Sequence, residues 1–448
     1  SSVMVEQKLL QAICFSDLDK WYVEYYLNNV SLKSKYDLIK LNNIISPKKN
    51  LIKKDDYKGD IPIVDKIVFK SGNIVFRKEN TTGMNLYALE NEDLLVSNIN
   101  FHQGATALNT YGNIVASTHY QPYLINHKLV YSEYLVKVLR SEPFLKMVAG
   151  KKAQGIKNES GFKFIGNFKI PLPTIEEQKI IIQKYQESIS QANTFEKEAN
   201  EQEKSIDTFV FNLLGIKDVL LERKTDSLLS ISSLVNMYNW DAKHAILNVN
   251  PRTLLKSNIY KNIPIQMVFA INPSTQFPKE IGEITFLPME CISDIYGVVI
   301  EKRTIDSKTK VYTKFKDNDV IFAKITPCMQ NGKCAVVKDL KQGFGMGSTE
   351  FHVFRAITEN AKPEYLHALL RTKMLRKAAM NFFTGSSGQQ RVSSEFIENL
   401  YIPLPPLPIQ EEIINHINKI KMQIKELRKQ AQELREKAKK DFEGSVFE

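Results

Sequence analysis

Asn and Gln side chains pair bidentately with adenine, Arg and Lys pair with guanine, and Glu accepts a hydrogen bond from cytosine. Side chains of these types gather in polar stretches punctuated by Gly in both halves of the chain. In the second half Lys324, Thr326, Gln330, Asn331 and Lys333 come first, then Ser348, Thr349 and Glu350, then Ser386, Gln389, Gln390 and Arg391. In the first half the matching places hold Asn98, Asn100, His102 and Gln103, then Thr118, His119 and Tyr120, then Gln154, Lys157 and Asn158. Any one such stretch is equally well explained as ordinary polar surface. Parallel placement in both halves, with different residues, fits two readers of two different short base sequences.

Bond-making chemistry finds no comparable support. An amino-methyltransferase needs a polar-Pro-Pro-aromatic loop, and Asn250-Pro251-Arg252 and Asn272-Pro273-Ser274 lack the second proline and the aromatic. Gly343-Phe344-Gly345-Met346-Gly347 is followed by Ser-Thr-Glu and another strand pattern, not by a helix, so a flexible β-connection is expected there and not a nucleotide loop. Gly332-Lys333 lacks the upstream glycine of a phosphate-binding loop. Cys328 and Cys334 have no compatible His pair for zinc and are expected to be half-buried thiols. No catalytic centre, metal site or cofactor site is expected in this chain.

Composition agrees with a folded binding protein. The 448 residues suffice for two or three domains, and 43% hydrophobic with 10% aromatic residues excludes a disordered tail. No run of about 18 apolar residues occurs, so no membrane span is expected. Ser1 to Lys20 lacks a signal-peptide layout, and four cysteines without a C-x-x-C pair fit a reducing cytoplasm. A net charge of +11 favours a polyanionic partner.

The elements that must position the loops occur twice. Ile-Pro-Leu-Pro stands at 170–173 and again at 402–405, preceded by Phe164-Ile165-x-Asn167 and by Phe396-Ile397-x-Asn399. Tyr134-Leu135…Leu139-Arg140-Ser141 matches Tyr365-Leu366…Leu370-Arg371-Thr372, and Ser117-Thr118 matches Ser348-Thr349. Glu92-Asp93-Leu94-Leu95 matches Asn318-Asp319-Val320-Ile321, and Leu9-Leu10…Trp21 matches Leu228-Leu229…Trp240. Six matches in one order indicate tandem duplication of an α+β globule. Strand patterns fall at Ile61–Val68, Leu94–Ile99, Gly297–Ile300, Val320–Ile325 and Cys334–Val337. Helices are expected around Ser132–Met147 and Pro363–Met380.

After each Ile-Pro-Leu-Pro the composition turns to Glu, Gln, Lys and Ile. Ile413, Ile417, Ile420, Ile424, Leu427, Ala431, Leu434 and Ala438 alternate spacings of 4 and 3, an unbroken a/d heptad. The same phase, 232 residues earlier, gives Ile181, Tyr185, Ala192, Phe195, Ala199 and Ile206, with Ser188 and Gln202 as polar interruptions. Either each helix lies on its own globule, or the two pack together as one coiled coil in one of two orientations. A stripe of about 30 residues makes a rod of roughly 45 Å, comparable to about 13 base pairs of duplex. The last helix carries Lys419, Lys421, Lys425, Arg428, Lys429, Arg435, Lys437, Lys439 and Lys440 on what is expected to be a solvated outer face.

Essentially the whole chain resembles the specificity subunits of type I restriction–modification systems. The resemblance is carried by the paired Phe-Ile-x-Asn-x-x-Ile-Pro-Leu-Pro boundaries and the helix starts Thr174-Ile175-Glu176-Glu177-Gln178 and Pro406-Leu407-Pro408-Ile409-Gln410-Glu411-Glu412. The second copy adds Ile325-Thr326-Pro327-Cys328, Gly347-Ser348-Thr349-Glu350-Phe351-His352-Val353 and Gly388-Gln389-Gln390-Arg391-Val392. The first departs from that class at His119-Tyr120, which implies a different half-site. The resemblance implies an N-terminal segment over 1–20, target-recognition domains over 21–173 and 223–405, and long helices over 174–222 and 406–448 forming an antiparallel coiled coil. It further implies a non-catalytic subunit that reads a bipartite, asymmetric site in double-stranded DNA. Two methyltransferase subunits would bring S-adenosylmethionine, and two restriction/translocase subunits would bring ATP and Mg. Two alternatives stay open at this point: a specificity module of a related two-component methyltransferase-nuclease, and a coiled-coil scaffold that binds no DNA.

Overall fold

A computed structural model describes residues 32–69, 71–150, 161–217, 249–385 and 389–448. Trp21, Trp240, Gln154, Lys157, Asn158 and Ser386 lie outside the described residues. The chain forms two compact units, residues 1–194 with 430–448 and residues 195–429.

In the first unit a four-stranded antiparallel sheet has the order Ile45–Pro47, Tyr120–Ile125, Leu94–Ser97, Thr106–Leu108. A five-stranded sheet has Ile114–Ser117 between Leu86–Leu89 and Ile63–Ile67, the last pair parallel. The helices Ser132–Leu139 and Glu142–Gly150 join the first sheet's core, where Tyr123, Tyr134 and Phe144 are fully buried.

The second unit repeats this plan. One sheet has the order Phe269–Ile271, Phe351–Ala356, Val320–Ala323, Cys334–Val336. The other has the order Arg303–Asp306, Glu283–Leu287, Phe344–Gly347, Thr313–Lys316, with the middle pair parallel. Within the glycine-rich run at 343–347, Phe344–Gly347 is therefore a paired interior strand and not a flexible connection. Its glycines answer to close packing: a Cβ on Gly345 would come within 2.3 Å of the Phe315 ring. Gly297–Ile300, expected as a strand, contributes only the isolated bridge of Val299 to Ile292. The reason is Gly297, at φ +63°, against which the Arg371 guanidinium packs.

Both expected globule helices are broken in two. Pro363–Arg371 stops at Thr372, whose hydroxyl donates to Leu369 O at 2.8 Å and accepts from Leu375 N, capping Lys373–Met380. Ser141 donates to Val138 O at 2.7 Å at the corresponding break between Leu139 and Glu142. A hydroxyl that bonds nearby backbone competes with helix continuation, which apolar periodicity does not register.

The first long helix is Ile175–Leu214, opened by a reciprocal box in which Thr174 N donates to Glu177 Oε2 at 2.9 Å. It ends eight residues before the expected 222, because Gly215 turns the chain at φ +63°. The second is Leu407–Val446. Each unit holds part of both helices, and in each the parts run antiparallel. In the second unit the Phe209 ring stacks on His416 at 3.6 Å and Arg428 reaches Glu203 at 2.8 Å, while Ala199, Ile420 and Ile424 form one cluster. In the first unit Tyr185 meets Phe442 and Arg435 donates to Asn193. Ile413, Ile417, Ile420, Ile424, Ala192 and Ala199 are buried, and Ile181, Tyr185, Phe195, Ile206, Leu427 and Leu434 half-buried. Not every basic side chain of the second helix faces solvent: Arg428 pairs with Glu196 and Glu203, and Lys421 lines a cavity.

The same bonds tie each long helix to its globule. Gln410, fully buried, accepts from Lys362 N at 2.9 Å and donates to Asn360 O at 2.8 Å and Pro405 O at 2.9 Å. Gln178, also fully buried, accepts from Tyr131 N at 2.8 Å and donates to Leu129 O at 3.1 Å and Pro173 O at 2.8 Å. Tyr365 and Tyr134 donate to the Pro403 and Pro171 carbonyls at 2.6 and 3.0 Å. Replacing Gln410 or Gln178 by Leu leaves three backbone groups without this partner, one at a buried bond and two at part-buried ones, so each variant should lose about 2–4 kcal/mol. Urea denaturation checks this, and an unchanged midpoint would contradict the role given to the glutamines.

Candidate nucleic-acid interface

Two strand ends and a hairpin bring the second unit's predicted residues together. Val320–Ala323 runs into Lys324, whose N donates to Glu350 O at 2.8 Å, just before Phe351–Ala356. The hairpin Phe383–Thr384 with Arg391–Val392 closes from the other side: Val392 N donates to Lys324 O at 3.0 Å and Thr326 N to Gln390 O at 2.9 Å. Lys324, Thr326, Glu350, Gln390 and Arg391 therefore share one surface.

At its centre Arg391 and Glu350 form a bidentate pair: Nε lies 2.9 Å from Oε2 and Nη2 lies 2.7 Å from Oε1. The Arg391 Nη1 donates to Gln389 O at 3.0 Å. Arg391 beside it holds the Glu350 carboxyl below its usual range. Both side chains are only partly exposed, and each satisfies the other's strongest face. The fork that would grip guanine and the carboxylate that would accept from cytosine are thus engaged with one another, so each reaches a base only when the pair opens or through its remaining edge. Lys324, half-buried beside them, has its ammonium pushed down by burial.

Behind the pair His352 is buried, with Nε2 3.2 Å from Val392 O and Nδ1 3.2 Å from Asn272 Nδ2. The carbonyl partner requires the proton on Nε2 and leaves Nδ1 as acceptor. The neighbouring loop is less free than its composition implies. Lys333 donates its Nζ to Met289 O at 2.9 Å, so its charge braces a turn. Gln330 O accepts from Arg376 at 2.5 Å and Gly332 O from Arg371 at 2.6 Å. Asn331, Thr349 and Gln389 are exposed, and the Ser348 hydroxyl accepts from Glu350 N at 3.2 Å.

The first unit brings together a smaller set. Asn98 N donates to His119 O at 2.9 Å and its Nδ2 to Thr118 O at 3.3 Å, joining two of the predicted loops. Asn100 N donates to the Ser97 hydroxyl at 3.1 Å. Thr118, His119 and Gln103 are exposed and His102 is half-buried. Tyr120 is different: its ring packs on the cluster of Val64, Ile67 and Leu95, and burial pushes its hydroxyl up. Its aromatic face serves the core.

Sequence reasoning missed the arginines that hold the loops. Arg371 donates to the carbonyls of Gly332, Asp294 and Ile295, and Arg140 to those of Ser71 and Phe69. The repeated Leu-Arg-Ser/Thr string was the available signal. Cys334 is fully buried, with its thiol pushed up to about 12, so the two thiols of that loop are not alike. Among the described residues no three His, Cys, Asp or Glu side chains are placed to hold a metal ion. No helix there is long and apolar enough to cross a membrane.

Residues 273–436 match the family model of the type I restriction modification DNA specificity domain. The curated relatives agree. The chain is 35% identical over 160 residues to the type I restriction enzyme EcoEI specificity subunit of Escherichia coli, covering 35% of this chain and 27% of that protein. It is 41% identical over 147 residues to the EcoAI specificity subunit of Escherichia coli, covering 32% and 25%. The EcoKI specificity subunit of Escherichia coli strain K12 is 22% identical over 306 residues, covering 65% and 59%. The chain thus spans about a quarter of the first two relatives' length and under two thirds of the third's. A solved chain from work on complex assembly and conformational transition of the type I R-M system superposes with a TM-score of 0.58 at 14% identity. That match covers 93% of this chain and 98% of the other, a likeness of fold.

His352 makes the site sensitive to acid. Burial, with Lys324 adding to it and Glu350 and the Val392 carbonyl opposing, lowers its imidazole to about 4. The folded protein keeps it neutral while the unfolded chain takes up a proton below about 6.5, so this contribution is complete above that pH and is lost as pH falls toward 4. The loss between pH 7 and pH 5 should be roughly 2 kcal/mol. Urea titrations at both pH values should give a His352→Gln variant a flatter dependence by that amount; a slope equal to wild type would contradict it.

Proposed function

We propose that this chain is the DNA-specificity subunit of a type I restriction–modification complex, itself non-catalytic, reading a bipartite, asymmetric site in double-stranded DNA. The carrying observation is the match of residues 273–436 to the model of the type I restriction modification DNA specificity domain. In this reading the chain is one domain-plus-helix unit used twice, with target-recognition domains over 21–173 and 223–405. The recurrence of the Gln178 and Gln410 bonds supports it. The antiparallel packing of Phe209 on His416 and of Tyr185 on Phe442 supports the two long helices as one coiled coil.

Each globule reads one half-site through its polar loops, and the paired helices hold the distance between them. Phosphate contacts from the basic surface position the protein, while base-edge contacts select sequence. Two methyltransferase subunits carry S-adenosylmethionine and transfer its methyl group, and two restriction/translocase subunits carry ATP and Mg. The complex works in the cytoplasm.

Arg391 and Gln390 belong to the second half-site. Arg391→Ala or Gln390→Ala should weaken binding by about 1–3 kcal/mol on duplexes with an intact second half-site, with the first half-site preference unchanged. Competition binding with half-site variants checks this; equal loss at both would point to a structural role. Removing seven residues from each long helix shortens a rod by about 10 Å, or about three base pairs. Methylome sequencing beside the methyltransferase should then find the same half-sites with a shorter gap. Loss of methylation at every gap would overturn the ruler.

A further inference from the structure

Within the second unit a cavity of about 410 Å³ lies between the long-helix segments and the helices Pro363–Arg371 and Lys373–Met380. Six cationic side chains and two carboxylates line it. Both carboxylates are engaged: Glu203 pairs with Arg428 at 2.8 Å and Asp207 accepts from Lys373 N at 2.7 Å. Arg371 spends its Nη groups on the Gly332, Asp294 and Ile295 carbonyls, and Arg376 bonds the Arg371 and Gln330 carbonyls. Carbonyls satisfy N–H groups without cancelling charge. Lys421 points into the same space and bonds no carboxylate or carbonyl among the described residues. Three adjacent cations are thus half-buried around one cavity whose only two carboxylates, Glu203 and Asp207, are already engaged.

A lining of six cations against two carboxylates favours either a neutral amine or a bound anion. Phosphate suits it best: it carries a charge of about −1.5 to −2 and three acceptor oxygens, against three cations that keep unused donors. The first unit differs, since Lys439, which shares a cavity with Arg140, is neutralised by Glu142 at 2.8 Å. We propose that the cavity bounded by Arg371, Arg376 and Lys421 is a phosphate-binding site. Burial and the Arg371 charge push the Lys421 ammonium down to about 8, the shift that a bound anion would reverse.

The test is calorimetric titration of the full chain with inorganic phosphate at low salt, for wild type, Lys421→Met, Lys421→Arg and Lys425→Met. Lys425 is exposed on the same helix and serves as the control. Wild type should bind one phosphate, with affinity falling at least about tenfold in Lys421→Met and kept within about twofold in the other two. Phosphate should also raise the unfolding temperature of wild type more than that of Lys421→Met. A non-cognate duplex then separates the two sources of phosphate. Duplex affinity that depends on Lys421 and is competed by phosphate assigns the site to a backbone phosphate, whereas unchanged duplex affinity assigns it to a free phosphate ligand. No saturable binding to wild type, or equal binding by Lys421→Met, overturns the proposal. The proposal does not rest on the DNA-reading function, because the phosphate titration can succeed where target methylation fails.

Discussion

The point on which each unit depends is the place where its globule becomes a long helix. A strand that ends in Pro-Leu-Pro must turn into a helix whose first N–H groups have no helical partner, beside a globule helix with the same problem. One fully buried glutamine in each unit ties the two helix starts together, accepting from Lys362 N or Tyr131 N ahead of the globule helix and donating to the proline carbonyl ahead of the long helix. A Tyr hydroxyl closes the preceding carbonyl. Without these bonds the helix could leave the globule at many angles, and the loops it supports would lose their fixed origin.

The excess of 11 positive charges does not translate into 11 free phosphate contacts. Arg140, Arg371, Arg376 and Lys333 hold loop carbonyls, while Arg355 pairs with the buried Asp319 at 2.6 Å and Lys48 with Asp93 at 2.7 Å. These cations make the loops rigid rather than sticky. Rigidity suits the proposed reading function, because discrimination needs donors and acceptors held in place before contact. The Arg391–Glu350 pair belongs to the same logic: it fixes two side chains that would otherwise lose rotamer freedom on binding.

Composition marked the polar stretches of the candidate interface, and main-chain bonds bring them together. The stretches around Lys324, Glu350 and Gln390 are far apart in sequence, and only the ladder from Lys324 to Glu350 on one side and Val392 on the other makes them one surface. Which side chains stay available was not legible. Tyr120 turns into the core, Lys333 braces Met289 O and Arg391 closes on Glu350, because partners contributed by distant strands decide where a side chain points. The same holds for the globule helices, whose breaks at Ser141 and Thr372 depend on one hydroxyl each.

By itself the sequence determined the repeat, the heptad stripe on the second long helix and the polar loops, because identity and spacing along one chain suffice for these. Short β-rich runs also placed four strands, Ile63–Ile67, Leu94–Ser97, Val320–Ala323 and Cys334–Val336, since composition and bounding turn residues are local. Only the tertiary structure decided which cations are spent and which remain. Lys421 looked like one more lysine on a solvated face, yet the packing of four helical segments half-buries it beside Arg371 and Arg376. Charge neutralisation is a property of neighbours in space, and a linear chain does not list them.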